Sequence, residues 1–71
     1  MEIIVFKTNI RRKKQVELLN QYMQNISGIV QWNVDLWDKD KILRVVSNSA
    51  SPRSVEQHLR RAGYYCEELR D

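Results

Sequence analysis

The sequence predicts an α+β sandwich in which an antiparallel sheet carries two helices on one face. Three observations predict it. Apolar residues recur at helical spacing in two separate segments. Between those segments lies a pair of alternating stretches joined by a polar turn. A β-branched, aromatic stretch opens the chain. With 71 residues this is one domain over 1–71, and a chain of that size buries only about 60% of its unfolded surface. The core is therefore expected to be a single thin layer between sheet and helices.

Residues 2–8, EIIVFKT, read as the first strand. Val16, Leu19, Met23 and Ile26 then recur at spacings of 3, 4 and 3, which line one face of a helix, and Gly28 fits its C-terminal stop. In residues 29–37, IVQWNVDLW, Val30, Trp32, Val34 and Leu36 alternate onto one side. DKD supplies a turn and KILRVVS returns, so 29–47 form a hairpin. Ser51 before Pro52 is an N-cap with proline in the first helical position. Val55, His58, Leu59 and Ala62 make the stripe of that helix, which Gly63 ends, and YYCEEL adds a short edge strand. The order is βαββα(β), the ferredoxin-like or split β-α-β arrangement.

Composition bounds function. With 42% hydrophobic and 30% charged residues the chain belongs with folded domains. A net charge of +3 falls short of the strongly basic face that nucleic-acid binding needs. Cys66 is the sole cysteine, so there is neither a disulfide framework nor a two-thiolate metal pair. No signal peptide and no span of about 20 apolar residues is evident, so a cytoplasmic protein without membrane contact is expected. No Ser/His/Asp set, pocketed acid pair or Gly-rich phosphate loop is present, and no enzymatic activity is expected. His58 lacks a second ligand at metal spacing and reads as a boundary histidine; Cys66 reads as a small packing residue.

The GI..W.VDL stretch (Gly28, Ile29, Trp32, Val34, Asp35, Leu36), the K.L.V strand (Lys41, Leu43, Val45), the AGY triplet at Ala62–Tyr64 and the FKTNI segment from Phe6 to Ile10 span nearly the whole chain. In these the sequence resembles the heavy-metal-associated domain, the fold of small copper chaperones and of the cytosolic domains of metal-pumping ATPases. The resemblance implies a Cys-x-x-Cys at the start of the first helix, whose thiolates would take a soft ion such as copper(I). It places Ile10 at the apolar position before that motif, Arg12 at the first cysteine and Gln15 at the second. The ligands are lost. Arginine offers no lone pair, glutamine only a weak oxygen, and no metal or other cofactor is expected.

Arg11, Arg12, Lys13 and Lys14 fill that loop, directly before a helix whose N-terminus favours acids. The charge suits an anionic group on a partner: an acidic patch, a phosphate or a carboxylate, assisted by free N–H groups at the helix start. It is equally what a solvated loop would carry. Trp37 shares its parity with Gln31, Asn33 and Asp35 on the uncovered sheet face. Ile42 and Val46 join it there, with either Ile3 and Val5 or Ile4 and Phe6. An apolar open face of this kind marks a contact with a protein partner or a second copy. A protein-interaction or self-association module is thus the leading expectation. Metal trafficking through an atypical site or with partner cysteines is the alternative. Nucleic-acid binding through Arg11–Lys14 with Arg60 and Arg61 comes third, because the aromatic-rich strand pattern it needs is missing.

Overall fold

The computed structural model describes residues 1–70. Its order is β1 (Glu2–Thr8), α1 (Lys13–Met23), β2 (Ile29–Asp35), β3 (Ile42–Ser47), α2 (Pro52–Arg61) and β4 (Cys66–Glu68). All pairings are antiparallel, in the order β2-β3-β1-β4. This is the ferredoxin-like sandwich that the sequence predicts.

Register decides which residues face the helices. Ile4 pairs with Val45 and Phe6 with Leu43, while Trp32 and Val34 stand opposite the same two β3 residues. Directly opposed residues share a face. Ile4, Phe6, Leu43 and Val45 therefore pack with Leu19 and Met23 of α1 and Val55 and Leu59 of α2 in one core. Each fully buried aliphatic or aromatic side chain contributes on the order of 1.5–3 kcal/mol. The β1 parity left open by sequence is thereby settled, and Ile3 and Val5 lie on the open face.

Three local readings are corrected. Val30 does not join Trp32 and Val34 inside: the register shifts between Ile29 and Gln31, so Val30 is the extra residue of a bulge and is 51% exposed. Gly28 does not stop α1, which ends at Met23 and is followed by a turn that still buries Ile26. Instead Gly28 has φ +90 and lies so close to the chain after β3 that a Cβ would fall 2.4 Å from Ser49 Oγ. The open face is also less apolar than expected. Ile42 is only 7% exposed, Val46 is half-buried, and Arg44 stands between Asn33 and Val5 in register.

The ends of α2 follow their sequence signals. Ser51 Oγ accepts from the Ser54 N–H, and Pro52 opens the helix. Past Arg61, Gly63 has φ +94, its N–H donating to the Arg60 carbonyl and that of Tyr64 to the Leu59 carbonyl. This Schellman closure explains the Ala-Gly-Tyr triplet, since only glycine takes that backbone freely.

Candidate functional site

The loop between β1 and α1 is anchored from below. Ile10 is fully buried in the core, and Thr8 ties three segments together. The Thr8 N–H donates to the Asp40 carbonyl at 3.1 Å and its hydroxyl donates to the Lys41 carbonyl. The same hydroxyl oxygen accepts from the Ile10 N–H at 3.2 Å. On the other flank Asn9 Oδ1 accepts from the Tyr65 N–H at 2.9 Å. The β2–β3 turn and the segment before β4 thus brace the loop from two sides.

At the helix entry Arg12 is the N-cap residue, with extended backbone (φ −123, ψ 146). A guanidinium has only donors and cannot cap. Gln15, in the third helical position, closes the turn instead: its Oε1 accepts from the N–H groups of Arg11 at 2.8 Å and Arg12 at 3.0 Å. This is the return half of a capping box without its forward half. The N–H groups of Arg11 and Arg12, just ahead of the helix, are therefore not free to hold an anion.

The cations have no ion-pair partner among the described residues. Arg11, Arg12, Lys13 and Lys14 are all exposed, and the first turn of α1 holds no acid. Among the described residues the ion pairs are Lys7–Asp40 at 3.7 Å and Arg70–Glu68 at 3.2 Å, and neither involves the loop. The three acids of the neighbouring turn are engaged. Asp35 accepts from the Trp37 N–H, Asp38 from that of Asp40, and Asp40 faces Lys7.

Trp37 is placed differently from its sequence reading. It lies in the turn after β2, not in the sheet with Ile42 and Val46, and is 97% exposed. With Leu36 it forms one wall of an open cleft of about 380 Å³, of which Arg11 and Lys13 form the other. The bracing at Thr8 brings the two loops together. Parity alone does not reveal this, since alternation ends where the strand does.

Nothing in this arrangement resembles a metal cage. Among the described residues no group of three or more His, Cys, Asp or Glu side chains is positioned to hold an ion. Cys66 is fully buried opposite Thr8, and burial, with a smaller contribution from Glu56, pushes its thiol up to about 12. A thiol in that state is a poor nucleophile and a poor ligand. His58 Nδ1 lies 2.8 Å from the Ser54 carbonyl, so that nitrogen carries the proton within the helix.

Comparison with solved structures gives the fold its setting. The yeast copper transporter domain Ccc2a, solved in apo and Cu(I)-loaded states, superposes with a TM-score of 0.83 at 15% identity, covering 100% of this chain and 99% of that one. The N-terminal domain of PacS from Synechocystis PCC6803 superposes with a TM-score of 0.81, also at 15% identity, covering 99% and 100%. The fold is heavy-metal-associated-like. No family model matches the chain, and no curated protein sequence matches it. At this identity the likeness is one of backbone. Unlike a heavy-metal-associated domain with two loop cysteines, this chain has one cysteine, and it lies in β4.

Proposed function

We propose that this chain is a non-enzymatic interaction module of heavy-metal-associated-like fold, working in the cytoplasm, that docks an acidic protein surface on the loop at Arg11–Lys14. One observation carries the reading: four exposed cations without an ion pair among the described residues stand on a loop held by buried Ile10 and Thr8 and by the side-chain oxygen of Gln15. A braced loop loses little conformational freedom on binding, so more of the charge attraction is expressed as affinity. Arg11 and Arg12 add bidentate geometry toward carboxylates. The cations cost the helix some stability through its dipole, a cost consistent with selection for contact over folding. Trp37 extends this surface on the apolar side, whereas Ile42 and Val46 do not line the cleft.

The test is titration with a synthetic Glu- and Asp-rich peptide, followed by nuclear magnetic resonance. Saturable shifts at residues 9–15 that weaken steeply with salt are expected, with binding at least tenfold weaker for Arg12→Glu combined with Lys13→Glu. Equal binding by wild type and variant would overturn the reading. Tighter binding of single-stranded RNA than of the peptide would favour nucleic acid instead.

A further inference from the structure

The cleft beside Trp37 constrains its occupant by more than charge. Among the described residues its lining is Arg11, Lys13, Leu36 and Trp37, two cations against two apolar side chains and no acid. The turn that presents the ring is held at several points. The Trp37 N–H donates to Asp35 Oδ1 at 3.1 Å and the Lys41 ammonium donates to the Leu36 carbonyl at 2.8 Å. Thr8 ties Lys41 back to β1 through its hydroxyl. The indole therefore stands 97% exposed on a held backbone. The described end of the chain leads away from it: Cys66 stands opposite Thr8, Glu68 opposite Phe6, and the Leu69 N–H donates to the Val5 carbonyl.

We propose that the partner presents an extended acidic segment with one large apolar side chain, which packs on Trp37 and Leu36 while the carboxylates beside it pair with Arg11 and Lys13. This rests on the docking reading of the basic loop and names what the acidic surface must also carry. Charge selects the flank. Asp35 and Asp38 accept from backbone N–H groups, Asp40 faces Lys7, and none of the three lines the cleft, so carboxylates of the partner belong on the Arg11 side. Size selects the segment. A cleft of about 380 Å³ lies near the lower end of ligand sites, which span roughly 300–1,000 Å³. That suits one anchor and its adjoining backbone, whereas an amphipathic helix needs a groove long enough for several anchors on one face. Tryptophan and arginine are also the residues that most often dominate binding when a partner covers them.

The test uses two synthetic Glu- and Asp-rich peptides of equal length and charge, one with a central leucine and one with serine in its place. Each is titrated into the intact chain, with affinity read by calorimetry and the contact by the Trp37 indole N–H resonance. Wild type should bind the leucine peptide at least about tenfold more tightly than the serine peptide, the scale expected for a covered anchor. Only the leucine peptide should shift the Trp37 indole strongly. Trp37→Ser, at an exposed position, should keep the wild-type circular dichroism spectrum, and its leucine margin should fall below about twofold. The comparison on wild type needs no variant. Equal affinity of the two peptides for wild type, or a leucine margin that survives Trp37→Ser, would overturn the proposal. Salt-dependent binding of both peptides without a leucine margin sinks this inference alone and leaves the docking reading standing. Binding of neither peptide removes both. A single-stranded oligonucleotide that shifts the Trp37 indole and binds more tightly than the leucine peptide would also overturn it, in favour of a stacked base.

Discussion

Gln15 folds its side-chain oxygen back onto the Arg12 N–H, 3.0 Å away, and so closes the helix entry from the position that the resemblance assigns to the second cysteine. The same oxygen takes the Arg11 N–H. The loop is therefore organised by a side-chain amide where a metal-binding relative would use thiolates. Gln15→Ala should cost about 0.5–1.5 kcal/mol, the net worth of typical hydrogen bonds. Gln15→Glu should keep the acceptor and gain about 0.3–1 kcal/mol from the helix dipole at low salt. Urea unfolding of the three proteins at two ionic strengths measures both.

Arg12 is a poor N-cap, and repairing it should stabilise the domain. Arg12→Asp supplies the acceptor that the guanidinium lacks and completes the box with Gln15, a gain of about 1 kcal/mol. For a domain of this size that corresponds to a rise of roughly 4–8 °C in Tm. Replacing both Arg12 and Lys13 by Glu should also stabilise, by about 0.5–2 kcal/mol at low salt, since the first turn of α1 contains no acid. A lower Tm for either variant would contradict the placement of the loop at the helix start.

The two glycines should respond differently to alanine. At Gly28 the backbone is left-handed, and the added Cβ would also meet Ser49 Oγ at 2.4 Å and the Ala50 backbone nitrogen at 2.6 Å. Backbone atoms cannot swing aside, so a loss of more than about 2 kcal/mol is expected. Gly63 has φ +94 with nothing near the new methyl, and only the backbone penalty of about 1 kcal/mol applies. Denaturant midpoints of the two variants give the comparison.

These contrasts show how far the residues alone could lead. The element order and the α2 boundaries were legible because Ser51-Pro52 and Gly63 carry direct backbone chemistry, and the apolar stripes mark one core. The bulge at Val30 was not, since an inserted residue leaves alternation looking intact while reversing it. Trp37 was misplaced for a related reason: parity was carried one turn beyond the end of β2. Gln15 did carry a signal, a glutamine three residues after the N-cap, but a capping box is normally recognised by Ser or Thr at its start, and Arg12 hides it. That the chain holds a single cysteine, and so no thiolate pair, was plain from composition.

Cys66 should give the domain an alkaline limit. Its thiol rises from an ordinary 9.0 to about 12 through burial, so the folded state holds the proton more tightly than the unfolded chain. The associated stability is intact below pH 9 and is lost progressively as pH rises toward 12. Cys66→Ala should show a shallower decline across that window. Thiol-reactive reagents should label the folded wild type only at the rate at which it opens.

The central claim is that Arg12 and Gln15 occupy the ligand positions of a metal loop whose chemistry has been exchanged for charge. Copper(I) titration against a competing chelator tests it most directly. Arg12→Cys with Gln15→Cys should create a copper(I) site, because residues three apart share one side of the first turn and soft thiolates select that ion. The cations left at Arg11, Lys13 and Lys14 should help by lowering the thiol pKa values. Wild type should take up none, and Lys13→Cys with Val16→Cys should bind markedly less, since Val16 packs against the core. Equal binding by the shifted pair, or no binding by the first, would contradict the claim.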